Sequence, residues 1–103
     1  MNQNKMNGNQ VGAKELPLFS LGMVVATAGV ANSIPRGEAL TALDRHHRGD
    51  WGSLSEQDCQ ENEESLTQRG RLLSVFDSSK GIRFWIITEA DRSVTTILLP
   101  SEY

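Results

Sequence analysis

The sequence predicts an α+β domain, an antiparallel sheet of about four strands in the order β-α-α-β-β-β with two helices packed on one face. Three observations carry that reading. Residues 71–99 hold three runs rich in β-branched and aromatic side chains, R-L-L-S-V-F-D, I-R-F-W-I-I-T and S-V-T-T-I-L-L, separated by the short turns S-S-K-G and E-A-D-R. Residues 35–70 carry helix start and stop signals instead. An apolar, β-branched run around Leu21 to Ala26 precedes both. A chain of 103 residues is long enough for one such core.

In chain order, residues 1–15 contain four asparagines, two glutamines and two glycines with almost nothing to bury, and are expected to be a disordered tail ahead of a single domain at 16–103. The first strand is expected to be buried, with Gly22 marking a bulge or a close approach, and to be broken by Gly29, Asn32 and Ser33. Pro35 suits a helix start, because its φ is already helical and its missing N–H would have no partner there. Ala39, Leu40, Ala42, Leu43 and one histidine then recur at helical spacing, Asp44 and Arg48 stand four apart as a surface pair, and Gly49 provides a left-handed cap. Ser55 with Asp58 three residues on forms an acidic variant of the capping box, opening a second helix to about Gln68, with Gly70 as its stop. That helix has little to bury, since Cys59 and Leu66 share their face with Asn62. In the middle strand of the meander Ile82, Phe84 and Ile86 point one way and Arg83, Trp85 and Ile87 the other, so both faces are partly covered.

Thirteen acidic and ten basic residues leave a net charge of −3, without the basic footprint that grips phosphate backbones. Direct nucleic-acid binding is therefore disfavoured. A single cysteine, Cys59, builds no disulfide framework and fits a reducing, cytoplasmic setting. Residues 18–31 imitate a signal peptide, but Pro17, Ser20, Gly22 and Thr27 interrupt the apolar run, which is also too short for a membrane span.

The one strong charge asymmetry lies between Arg48 and Arg69, where Asp50, Glu56, Asp58, Glu61, Glu63 and Glu64 occur with no basic residue among them. A helix with so little to bury is expected to owe its place to a partner, and a basic groove suits carboxylates spaced along it. Other constellations are weaker. His46 and His47 are adjacent, diverge by about 100° on a helix, and cannot both face one ion, so neither a metal site nor a cofactor is expected. Cys59 lies among acids, which suppress its thiolate, and no catalytic motif accompanies it. Glu89, Asp91 and Arg92 form a secondary candidate cluster, with a charged hairpin turn as the plainer reading. Arg48-Gly49-Asp50 is discounted as an adhesion tripeptide because Gly49 is accounted for as a cap. Trp51 is expected to fold back onto the core as a structural anchor between the helices, with Asp50 opening the acidic face.

From Leu18 onward the chain resembles a family of small bacterial proteins found on plasmids and other mobile or host DNA. The likeness rests on R-H-H-R-G-D-W-G at 45–52, Asn62-Glu63, G-R-L-L-S at 70–74, and W-I-I-T-E-A-D-R-S-V-T-T-I-L-L-P-S-E-Y at 85–103; residues 1–15 lie outside it. His46, Asp50 and Trp51 match the pattern, whereas His47 and Arg48 fall at variable positions, which weakens the metal and tripeptide readings further. One group in this family is identified as inhibitors of the type II RNA-guided nuclease of CRISPR immunity. The resemblance thus implies a non-enzymatic, plasmid- or phage-encoded anti-CRISPR protein whose partner is that nuclease or its guide complex. The alternative is a small regulatory or interaction module of mobile elements with another target. Exposed sheet edges leave a homodimer open.

Overall fold

Four strands, β1 (Met23–Ala26), β2 (Leu72–Asp77), β3 (Arg83–Thr88) and β4 (Val94–Leu98), form one sheet in the order β1-β4-β3-β2 in the computed structural model, which describes residues 16–103. The expected tail at residues 1–15 lies outside the described residues. Antiparallel β2–β3 and β3–β4 pairs follow from the two short turns, while β1 lies parallel to β4. Helices α1 (Ala28–Ser33), α2 (Arg36–His47) and α3 (Glu56–Gln68) occupy the connection between β1 and β2, and a 3₁₀ turn at Pro100–Glu102 follows β4. The α+β class and the element order are as the sequence predicts, with a short helix added, but the sheet is mixed and not wholly antiparallel as expected, because β1 and β4 run the same way.

Local signals set most boundaries. Pro35 stands at the N-cap of α2, Gly49 ends it at φ +84°, and the Ser55 hydroxyl accepts the Asp58 N–H at 3.1 Å to start α3. Arg69 itself takes the left-handed C-cap of α3, at φ 64°, one residue before the expected Gly70. Helix α1 forms where Gly29, Asn32 and Ser33 were expected only to break a strand. Its first turn is capped from far along the chain: Glu102 accepts the Gly29 N–H at 3.0 Å and the Thr27 hydroxyl at 2.5 Å.

Val30, Ile34, Ala39 and Ala42 from α1 and α2 pack on Phe76, Phe84, Ile86 and Ile97 from one face of the sheet. Leu40, expected in this core, is instead 52% exposed, because its place on α2 turns it toward the β1 side.

Strand β1 corrects a further expectation. All four of its residues are exposed, since it is an edge strand paired on one side only. The close approach expected at Gly22 is present: with φ +63°, a Cβ there would lie 2.2 Å from the Ser93 carbonyl oxygen.

The opposite edge, β2, is closed. Trp51 and Ser53 bracket Val75, which donates to the Trp51 carbonyl at 3.1 Å and accepts the Ser53 N–H at 2.7 Å. Gly52 between them sits at φ +72°, where a Cβ would stand 2.0 Å from the Val75 carbonyl oxygen. Only glycine permits that approach. Just along the strand, Asn62 of α3 meets Leu73, so α3 runs beside the β2 edge while α1 and α2 cover the face.

Candidate functional site

Helix α3 is fastened to the rest of the fold by polar anchors and little apolar contact. Asn62 is 4% exposed, and its side-chain amide bonds both the C=O and the N–H of Leu73. Trp51, at 5% exposure, donates its indole N–H to Glu63 at 3.0 Å. The indole stacks on Phe19 and lies edge-on to His46. Trp51 is buried and ties Glu63 of α3 to His46 at the end of α2. Cys59 and Leu66 complete the inner face half-buried.

Beneath Trp51 lies a buried polar chain. His46, fully buried, has Nδ1 2.5 Å from Ser74 Oγ and Nε2 2.9 Å from Thr88 Oγ1; Thr88 Oγ1 is 2.7 Å from Thr95 Oγ1, and Thr95 donates to the Leu21 carbonyl at 2.7 Å. The terminal carbonyl sets the direction of every proton in this chain. Because Thr95 gives its hydrogen to Leu21, Thr88 must donate to Thr95, His46 Nε2–H must donate to Thr88, and Ser74 must donate to His46 Nδ1. Burial, aided by the neighbouring charges of His47 and Arg92, pushes the His46 pKa down to about 3. A helix C-terminus favours a charged imidazole, but burial keeps this one neutral. His47 turns away, donating through Nε2 to the Phe19 carbonyl at 2.8 Å. The two histidines diverge as their adjacency requires. Among the described residues, no three His, Cys, Asp or Glu side chains gather as a metal site.

The six acidic candidates separate into two kinds. Asp50 pairs with Arg45 at 2.7 Å and accepts the Gly52 N–H at 3.1 Å, and Glu63 holds Trp51, so both have structural work. Glu56, Asp58, Glu61 and Glu64 are exposed on α3 and pair with no cation among the described residues. Glu56 and Asp58 lie in the first turn, where the helix dipole favours them. Glu61 and Glu64 stand on the outer face with no such local reason. The field of the group reaches Cys59: burial first, then Glu63, Asp58, Glu56 and Asp50, raise its thiol pKa above the usual value.

Glu89, Asp91 and Arg92 lie in the β3–β4 turn and do not converge on one point. Glu89 is 3.4 Å from Arg71, Asp91 accepts from the N–H and hydroxyl of Ser93, and Arg92 donates to the carbonyls of Ser65, Gly70, Glu89 and Ala90. Arg92, at φ 62°, is a clasp between the turn and the C-terminal end of α3. Sequence reasoning missed this role, and the roles of Glu102 and Asn62. Only Asn62 left a signal, as a polar residue on an otherwise apolar helix face.

Among the described residues, no helix is long and apolar enough to cross a membrane. Comparison with protein families, with characterised proteins and with solved structures finds no match.

Proposed function

We propose that this chain is a non-enzymatic, cytoplasmic binding protein that presents the outer face of α3 to a basic groove, and that the groove belongs to a type II RNA-guided DNA nuclease or its guide complex. One observation carries the reading. Glu56, Asp58, Glu61 and Glu64 stand exposed and unpaired on a helix whose inner side is fixed by Asn62 and by the Trp51–Glu63 bond. A helix held in place before binding loses little freedom on docking. Such a nuclease holds its heteroduplex in a positively charged channel, which carboxylates on a rigid rod can occupy in place of phosphates. The resemblance at residues 45–52, 62–63, 70–74 and 85–103 supports the choice of target.

The test is protection of a target duplex from the guide-loaded nuclease by the wild-type protein and by the Glu56→Lys, Glu61→Lys, Glu64→Lys triple variant. Protection by the wild type that falls as salt rises, and is lost in the variant, is expected. Equal protection by both proteins refutes the electrostatic mechanism. Normal cleavage with the wild-type protein across several nuclease orthologues refutes the target and favours a regulatory or interaction module of mobile elements.

A further inference from the structure

We infer that two copies of this chain pair through β1, antiparallel, about a two-fold axis at Val25, to continue the sheet from one copy into the next. The Met23 N–H donates to the Ser93 carbonyl at 2.9 Å and the Thr27 N–H to the Ile97 carbonyl at 3.0 Å. Alternate residues of a parallel strand bond to the same neighbour, so Met23, Val25 and Thr27 face β4 while Val24 and Ala26 turn their N–H and C=O outward. No described residue bonds to those outward groups.

The two edges of the sheet differ in a way that selects the partner. On β2, Trp51, Ser53 and Asn62 occupy the outward groups of Val75 and Leu73. On β1 the usual guards are missing: M-V-V-A contains no charge and no proline. Because β2 is closed, a β1-to-β2 stack into an open fibre is blocked, and the pairing left to identical copies is β1 with β1, which closes as a dimer. That pairing is self-complementary. With Val25 on the axis, Val24 of one copy and Ala26 of the other exchange both backbone bonds, and the reverse pair does the same.

The side chains agree with the backbone. Val24 shares a face with buried Thr95, on the side that carries the helices, where Val24, Val30, Ile34, Ala39, Leu40 and Ile97 line, together with Arg36, a mostly apolar groove of about 380 Å³. A two-fold axis perpendicular to the sheet keeps both copies' helices on one side. Val24 and Leu40, 41% and 52% exposed, then stand beside the same groove of the partner. The free edge and the mostly apolar groove suit an extended strand with apolar residues at its flank, and β1 itself meets that description.

Sedimentation of the full chain over about 1 to 500 μM tests the pairing, with a doubling of the 11.4 kDa protomer mass expected. Val24→Lys should stay at the protomer mass throughout, with the same thermal unfolding as the wild type at dilutions where the wild type is also a protomer. In a Cys59→Ser background, Val25→Cys should cross-link to itself under mild oxidation, because facing residues of a non-hydrogen-bonded pair lie about 4.5 Å apart at Cα. Met23→Cys, which faces Thr27 of the partner, should cross-link at least about tenfold more slowly, since its Cα is then beyond disulfide reach of its counterpart. A protomer mass at every concentration, a dimer that survives Val24→Lys, or equal cross-linking at 23 and 25 overturns the inference. A monomer that takes up an added extended peptide along β1 overturns it too, and assigns the edge to a different protein.

Discussion

Asn62 and Leu73 are joined as two strands would be: the Asn62 Nδ2 donates to the Leu73 carbonyl at 2.6 Å, and the Leu73 N–H donates to Oδ1 at 3.2 Å. One side-chain amide thus replaces the next strand at the edge of the sheet and seats α3 at the same time. Asn62→Ala removes both partners, and a loss of about 2 kcal/mol in urea unfolding is expected from stranding half-buried backbone groups. Asn62→Asp should be no better, because a carboxylate faces the Leu73 carbonyl without a hydrogen to give. Wild-type stability in either variant would show that water replaces the amide at no cost.

Trp51 offers a separate test of the same attachment. Trp51→Ala should cost about 3 to 5 kcal/mol, the range for removing a buried aromatic side chain. Glu63→Ala keeps the ring and strands only its N–H, so about 1 to 2 kcal/mol is expected. If Trp51→Ala left the melting temperature unchanged, the indole would be a binding residue, free of any anchoring role.

His46 gives a pH dependence whose sign is fixed by its environment. Its folded pKa of about 3 lies below the ordinary histidine value of 6.5, so the unfolded chain takes up the proton first. Stability is therefore complete above pH 6.5 and falls as the pH drops toward the folded pKa, by about 1.4 kcal/mol per unit from this group. Between pH 6.5 and 5 the slope belongs to His46, because the carboxylates with lowered pKa values, Glu38, Asp77, Asp91 and Glu102, titrate below that window. Urea unfolding of His46→Leu should lack the slope in this range, whatever its absolute stability. In the wild type, ¹⁵N spectra should find the ring proton on Nε2; a proton on Nδ1 would reverse the hydroxyl chain.

Arg92 separates clasp from catalyst. It gives its hydrogens to the Ser65 and Gly70 carbonyls as well as to its own turn, and Arg92→Ala should therefore cost about 1 to 3 kcal/mol. Arg92→Lys should recover little, since an ammonium group cannot reproduce the planar fork. Equal stability of both variants with the wild type would free Arg92 for a role at the surface.

The sequence by itself determined what short-range chemistry controls. Pro35, Gly49 and the Ser55–Asp58 pair set helix ends through groups a few residues apart, and the two turns set the β2–β3–β4 meander for the same reason. Adjacent histidines had to diverge, and a tryptophan between two helix signals had to find a core. Tertiary structure alone decided which strand lies at an edge, because β1 pairs with a strand some 70 residues later, Met23 beside Val94. It likewise chose His46 over His47 for the core, placed Asn62 on Leu73 and gave Arg92 to the end of α3. Each of those bonds joins groups that no local pattern relates, and burial from water is what makes an unmet hydrogen bond costly enough to select them.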